Sequence, residues 1–245
     1  MAGDHLNREK VSTKQNSRKI VKHQVLELLK HANNQNVLNE LCRLPSRQMI
    51  NLLFSFLYHV EPRIKWNAVT AMGALTAILA NKDMEAARVI VRRLMWSLND
   101  ESGGIGWGAP EAMGEILANH ETLAHEYYRI LISYSREDGN FQENERIQEG
   151  VLWGIGRLSQ LRPHLVKNVI SHLVAYLNSS NGAFRGLTVW IMGLVGMKEA
   201  EPKLKALLQD DFEIAIYMDR ELITRQIKDL AKEAIEKIKT RDVQC

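Results

Sequence analysis

The chain has little cysteine, little proline and no long apolar run, and each shortage excludes a class of protein. Its two cysteines, Cys42 and Cys245, are too few for a disulfide-stapled scaffold or a four-thiolate metal site. They suit a reducing compartment, which we take to be the cytoplasm. Five prolines in 245 residues are fewer than the usual ~5% and favour helix. No stretch approaches the ~18 consecutive apolar residues that a membrane span needs.

The surplus of positive charge is also small. The 32 Lys and Arg residues against 29 Asp and Glu residues give a net charge of +3. So small a value argues against a surface dedicated to nucleic acid, although it is compatible with a local basic patch. Residues 1–17 are polar and lack the apolar core of an export signal. We therefore expect a disordered tail over 1–17 and a single domain over 18–245.

What the chain does contain is an internal repeat of about 40 residues. Four helix-like segments end on glycines that are 41, 42 and 37 residues apart, namely Gly73, Gly114, Gly156 and Gly193. Alanine stands five and two positions before the first two of them, at Ala68 and Ala71, then at Ala109 and Ala112. Small residues at this spacing predict a helix that is pressed closely against its neighbours.

A second helical pattern lies between these segments. Apolar residues recur there at three and four spacing, as at Met49, Leu52, Leu53 and Phe56. Each repeat is therefore predicted to contain an outer helix, a short turn and an inner helix. We predict an all-α fold, a right-handed α-solenoid of about five such pairs, with residues 18–43 as an N-terminal helical cap.

One segment departs from the helical pattern. Residues 212–217, Phe-Glu-Ile-Ala-Ile-Tyr, alternate between apolar and other residues, and residues 222–227 alternate again. This pattern predicts a short β-hairpin near 212–227; a helix that runs on from Ile214 is the alternative. Because two strands alone are marginally stable in water, we expect the hairpin to cover the end of the solenoid.

The stretch from Arg185 to Asp210 resembles a known repeat unit. Arg185 precedes an apolar helix ending in Gly193-Leu-Val-Gly196, and then come a Pro-containing turn, a Leu-rich helix and Asp210. This order is similar to the HEAT-like repeat of the phycobilin-lyase (PBS lyase) type, and the resemblance covers roughly residues 45–240. It implies the fold more than the function, because such repeats serve lyases, hydroxylases and plain scaffolds.

Tryptophan is concentrated on one predicted face of the inner helices. Positions −7 and −3 from each repeat glycine lie one turn apart on the side opposite the small residues. These slots contain Trp66, Thr70, Trp107, Glu111, Glu149, Trp153, Gly186 and Trp190. The resemblance implies that this side lines the concave groove, where a row of exposed indoles would mark a binding site. The alternative is that each indole packs between neighbouring inner helices.

Charged residues accompany the tryptophans. Glu111 and Glu149 occupy slots on adjacent helices, and Arg63 and Arg146 stand ten residues before their repeat glycines. Acid, arginine and aromatic side chains in one groove suit a cation, a sugar, a nucleobase, a tetrapyrrole or a peptide. For Arg185 we expect a structural role, in a polar ladder between repeats. The candidate ligand-binding residues are Trp66, Trp107, Glu111, Glu149, Trp153, Trp190, Arg63 and Arg146.

A glycine-rich connector precedes the second inner helix. Gly103, Gly104 and Gly106 stand just before Trp107, and free backbone N–H groups at a helix start can hold an anion. The spacing matches neither a P-loop nor a dinucleotide fingerprint. The alternative is a tight turn that lets Trp107 enter the groove.

We find no signature of a metal site or a nucleophile. His120 and His125 are five residues apart, whereas a zinc-binding HExxH helix needs histidines four apart. We therefore predict no metal, no cofactor and no catalytic residues.

Three functions fit this pattern. The leading hypothesis is a non-catalytic scaffold that binds a protein or peptide in a Trp-lined concave groove. The alternatives are a bilin-lyase-like enzyme or chromophore handler, and a HEAT-like DNA glycosylase, each using the same groove. A nucleic-acid partner is not favoured at this charge, no membrane partner is expected, and the oligomeric state stays open.

Overall fold

The computed structural model describes residues 20–31, 40–41, 46–99 and 106–242, and most of these residues are helical. None of the helices within these ranges is long and apolar enough to cross a membrane. The tail predicted over 1–17 lies outside the described residues, as do Cys42 and Cys245.

The helices, numbered in chain order, form two rows behind a first helix, α1 (residues 20–30). The outer row begins with α2 (Ser46–Phe54), and the inner row begins with α3 (Pro62–Ala80). The outer row continues with α4 (Met84–Asn99), α6 (Glu121–Ser133), α8 (Pro163–Val166) and α10 (Glu201–Ala206). The inner row continues with α5 (Ala109–Asn119), α7 (Glu145–Leu161), α9 (Gly182–Val195) and α11 (Ile227–Asp242). In the last two repeats the outer helices α8 and α10 are short and are extended by 3₁₀ turns, which cover Lys167–Val169, Ser171–Asn178, Lys198–Ala200 and Leu207–Gln209.

Successive inner helices pack directly against one another, from α3 through α5, α7 and α9 to α11. The predicted all-α solenoid of stacked helix pairs is therefore confirmed. The helix α1 belongs to the predicted cap and buries Val25 and Leu29 completely. Asn67 of α3 donates to the Leu29 carbonyl at 2.7 Å, which ties this helix to the first inner one.

Each repeat glycine marks the place where its inner helix meets the next. A Cβ built on Gly114 would lie 2.4 Å from the Cα of Gly154 on the following inner helix. The equivalent neighbours of Gly73, Gly156 and Gly193 are Glu115, Trp190 and Ala234. The alanines before the first two glycines are also buried, as predicted. Close packing of the inner helices thus explains why the repeat is readable at these positions.

The hairpin predicted near 212–227 is confirmed. The strands β1 (Glu213–Met218) and β2 (Glu221–Gln226) pair antiparallel, with Met218 opposite Glu221. Asp219 and Arg220 form the two-residue turn with φ of 50° and 69°, the left-handed region that such tight turns require. A helix through Ile214 is therefore wrong, because β-branched residues in alternation favour the extended backbone.

The expected position of the hairpin at the end of the solenoid is wrong. Ile214 contacts Gly186 of α9, whereas Tyr217 stacks on Trp66 of α3. The hairpin therefore crosses from the last repeats to the first, over the inner helices. Two strands need apolar contacts on their faces, and here the inner helices supply them at Gly186 and Trp66.

The contact at Gly114 generates a test of this packing. Helix propensity alone predicts that Gly114→Ala stabilises the protein by about 1 kcal/mol. The added methyl would meet the Gly154 backbone, which cannot move aside as a side chain can. We expect a net loss of about 1–3 kcal/mol, measured by chemical denaturation. A gain in stability would show that the inner helices are not in this close contact.

Candidate functional site

The inner surface, defined here as the face formed by slots −7 and −3 of the four repeats, is where the hairpin docks. The predicted position of Trp107 on an inner helix is wrong, because α5 begins only at Ala109, after Gly108 with its φ of 80°. Trp66 and Thr70 of α3 and Trp153 of α7 contact Tyr217, and Gly186 of α9 lies under Ile214. Helical geometry had predicted that these slots share one face. The structure shows in addition that the hairpin of the same chain covers part of this face.

Tyr217 is the centre of an aromatic cluster. Its ring stacks on Trp66, with centroids 4.6 Å apart and planes at 5°. Trp153 lies against the same indole at 4.6 Å, and its Nε1 donates to the Tyr217 carbonyl at 2.8 Å. The Tyr217 hydroxyl lies 3.1 Å from Thr70 Oγ1. Burial raises the pKa of Tyr217, so this hydroxyl stays neutral at physiological pH.

The expected open row of four tryptophans is wrong for two of them. Trp153 is only 3% exposed and Trp190 only 5%. Trp153 is covered by the hairpin, and the ring of Trp190 packs closely against Gly156 of the preceding inner helix. The alternative, in which the indoles pack between inner helices, therefore holds for Trp190. Trp66 and Trp107 are half-buried.

Glu111 forms a buried ion pair beside this cluster. Its side chain is 4% exposed, and Lys65 Nζ lies 2.5 Å from Oε1. The second oxygen, Oε2, is buried, has no hydrogen-bond partner among the described residues and faces Gly150 of α7. Lys65 Nζ also lies 4.9 Å from the centroid of Trp66. Glu111 is therefore a structural carboxylate that holds Lys65 over an indole.

Arg146 and Glu149 extend the charged region toward α9. The Arg146 guanidinium lies 4.5 Å from the centroid of Trp107. Burial raises the pKa of Glu149; Glu145 adds to this effect, while Asn181, Arg146 and Lys65 oppose it.

We call the set formed by Arg63, Lys65, Trp66, Trp107, Glu111, Arg146 and Glu149 the rim. Lys65 contacts Trp66 and Glu111, Arg146 contacts Trp107, and Arg63 and Trp66 line one cavity. All seven residues lie near the starts of inner helices, and Trp66 is in addition covered by Tyr217 of the hairpin.

A polar cavity of about 340 Å³ lies on the other side of the hairpin tip. Its wall includes a buried ion pair in which Arg157 Nε donates to Glu115 Oε2 at 2.6 Å. Asn119 Nδ2 donates to the other oxygen at 2.9 Å. Glu115 and Arg157 occupy slot +1, one turn beyond slot −3 on the same face. Sequence reasoning missed them because it stopped at the glycine; continuing the same periodicity would have found both.

A second cavity, of about 350 Å³, opens between the rim and the hairpin. Arg63, Trp66 and Asn67 of α3 form one wall, and Arg220, Glu221 and Leu222 belong to the other. Arg63 is exposed. We call this second cavity the tip cavity. Its lining combines the cations Arg63 and Arg220, the indole of Trp66 and residues of the hairpin, and such a lining suits a peptide side chain. No sequence motif marks it, because its two walls are about 155 residues apart in the chain.

The glycine-rich connector is described only from Gly106 onward; Gly103 and Gly104 lie outside the described residues. Gly106 is buried and contacts the Ser97 carbonyl, so it does not offer an open anion site. Gly108 has φ of 80° and starts α5. These features favour the tight turn, which places Trp107 at the rim.

Two other polar groups have structural roles. Arg185 Nε donates to Asp210 Oδ2 at 2.8 Å, as expected for a polar contact between successive helices. His120 caps α6 by accepting from Leu123 N at 3.4 Å. Within the described ranges, no group of three or more His, Cys, Asp and Glu side chains is arranged to hold a metal ion.

Comparisons with known proteins agree with the fold. No protein-family profile matches the chain. An uncharacterised protein of Archaeoglobus fulgidus is 23% identical over 189 residues, which cover 75% of this chain and 94% of that protein. An engineered protein of known structure is 15% identical, with coverage of 89% and 98% and a TM-score of 0.51.

A designed armadillo repeat protein, solved in complex with the peptide (KR)4, is also similar. It is 15% identical, with coverage of 88% of this chain and 98% of that one, and the TM-score is 0.50. At such low identity these similarities show the fold alone, which is a solenoid of stacked helices.

The burial of Trp153 predicts its contribution to stability. Trp153→Ala should cost about 3–5 kcal/mol, because it removes a buried indole and leaves the Tyr217 carbonyl without its donor. Trp96, which is 76% exposed on α4, is the matched control, and Trp96→Ala should change stability by less than about 0.5 kcal/mol. Urea denaturation compares the two. Equal losses would contradict docking of the hairpin on Trp153.

The raised pKa of Glu149 predicts a pH dependence. The carboxyl group of Glu149 binds its proton more tightly in the folded protein than in the unfolded chain, where the pKa of glutamate is near 4.5. The stabilisation that Glu149 contributes is therefore fully present below pH 4.5, and it is lost as the pH rises through the pKa of Glu149 in the folded protein. Glu149→Gln should remove this loss in melting temperatures measured from pH 4 to 8. Glu143→Gln, at an exposed position, is the control; parallel curves for wild type and Glu149→Gln would contradict the assignment.

Proposed function

We propose that this protein is a non-catalytic recognition scaffold, whose inner surface binds an extended segment of a protein or peptide at the rim. The observation that carries the proposal is the docking of β1. The inner surface holds this extended segment through an aromatic stack on Tyr217 and a hydrogen bond from Trp153 to a backbone carbonyl. A surface with these features is suited to an extended chain.

The hairpin is a permanent part of this surface rather than a segment that a partner displaces. Ile214, Ile216 and Tyr217 are each less than 8% exposed. Exposing three such side chains would cost about 1.5–3 kcal/mol each. The sum approaches the ~8 kcal/mol that a micromolar complex provides in total. A partner would therefore bind beside the hairpin.

The rim provides a binding surface beside the hairpin. Trp107 is half-buried, and Arg146 covers its ring. Arginine over an indole presents a flat, partly apolar platform with a fixed charge, and such pairs are frequent in binding hot spots. Glu149 adds a carboxylate to the same area. The platform suits main-chain and side-chain contacts better than it suits catalysis.

The similarity to a designed armadillo protein supports the proposal at the level of fold. That protein was solved with the peptide (KR)4, so a helical-repeat solenoid of similar fold can bind a peptide. The partner of the present chain need not be basic, because the rim side chains differ.

The finer resemblance to the phycobilin-lyase type of repeat rests on the sequence from Arg185 to Asp210, and we retain it as part of the proposal for the repeat family. Bilin handling and base excision are not favoured. Tyr217 stacks on the face of Trp66, and Trp153 lies against the same indole, so the surface that a planar ligand would stack on is already covered. The cytoplasm stays the proposed location, on the grounds of the low cysteine content.

Panning a displayed library of random dodecapeptides on the purified protein tests this function. Enriched peptides, synthesised and titrated by fluorescence anisotropy, should bind with affinity that Trp107→Ala lowers at least tenfold, or by about 1.4 kcal/mol. Trp96→Ala removes an exposed indole from an outer helix and should change affinity less than twofold. If no peptide is enriched, or if both variants lose affinity equally, the proposed function is wrong.

A further inference from the structure

Among the described residues neither outer edge of the hairpin has a backbone partner, and the β1 edge is contacted by the side chain of Trp153. Among the described residues the sheet contains two strands, β1 and β2. In an antiparallel pair, residue pairs alternate between bonding each other and pointing their N–H and C=O groups outward. Two contacts determine this alternation here. Trp153 reaches the outward carbonyl of Tyr217, and Ile227 N donates to the Phe212 carbonyl.

The outward groups of β2 can therefore be assigned. Tyr217 is opposite Leu222, so Leu222, Thr224 and Gln226 direct their backbone groups away from β1. No hydrogen bond to the backbone groups of Leu222 and Thr224 is found among the described residues, whereas the Gln226 carbonyl, directly before α11, accepts the first bond of that helix. The side chains of Leu222 and Thr224 are exposed, which leaves the edge accessible. An accessible strand edge is a template for an added strand.

The tip cavity adjoins this edge and indicates the chemistry of the added strand. Leu222 and Arg63 line it from opposite sides. Arg63 is exposed, and none of the ion pairs of the described residues includes it. A guanidinium beside an indole and a free strand edge is complementary to a carboxylate that extends from a neighbouring strand.

We propose that the free edge of β2 binds an extended acidic peptide as a third strand, with one Asp or Glu side chain directed into the tip cavity against Arg63. This inference rests on the proposed function and specifies its binding mode and ligand class. Main-chain hydrogen bonds to Leu222 and Thr224 would provide affinity, and the cavity would select the acidic side chain.

The peptide enriched in the panning experiment is the probe. Thr224→Pro removes one outward N–H and leaves the bonds between β1 and β2 intact, because edge strands tolerate proline at such positions. We expect it to lower affinity at least tenfold. Ala215→Pro makes the same change at the opposite residue of β1, on the other edge, and should lower affinity less than threefold.

A second measurement keeps the test independent of the folding of the variants. Peptides N-methylated at alternate residues should lose binding at positions of one parity and keep it at the other, because alternate residues of an added strand face the edge. The enriched peptides should contain Asp or Glu, and replacing that residue with Gln or Lys should weaken binding to wild type more than to Arg63→Gln.

The outcomes separate this inference from the function on which it rests. Equal binding by wild type and Thr224→Pro, or no parity effect, would overturn strand addition even if Trp107→Ala still weakened the complex. Enrichment of peptides without an acidic residue would overturn the ligand class. Concentration-dependent dimerisation that Thr224→Pro abolishes, without peptide binding, would assign the edge to a second copy of the chain and overturn the proposal.

Discussion

The close approach of the inner helices is the constraint on which the other features depend. At Gly114 and Gly154 two backbones meet with no room for a side chain. This contact fixes the rotation of each inner helix, because the small residues must face the neighbouring helix. The opposite slots are then fixed as well, and they present Trp66, Thr70 and Trp153 on one surface. The inner surface is therefore a consequence of where glycine is placed.

The hairpin converts this surface into a site. It connects α9 at Gly186 with α3 at Trp66, so residues from the first and last repeats contact each other through one short sheet. Repeat proteins otherwise make contacts mainly between neighbours. The long-range contact through Tyr217 divides the inner surface into a polar cavity on one side and the rim on the other, and it supplies a strand edge that the helices alone could not provide.

Much of the fold was predictable, and the site was predictable only in part. The repeat, the helical slots and the hairpin follow from local periodicity, which depends on residues a few positions apart. The burial of Trp153 and Trp190 could not be read in the same way. A tryptophan in a surface slot looks identical whether it faces solvent, the hairpin or a glycine of the preceding repeat. Glu115 and Arg157 were within reach, since slot +1 continues the same face.

The sequence alone determined the helical repeat, the close-packed glycines and the strands, because backbone propensity and the 3.6-residue and two-residue periods are local properties. Only the tertiary structure decided where the hairpin docks, which indoles it covers and which charges meet. Those outcomes depend on how successive inner helices stack, which brings Tyr217 to Trp66 across about 150 residues of chain. The stacking is the sum of many packing contacts between repeats, and no single segment of sequence encodes it.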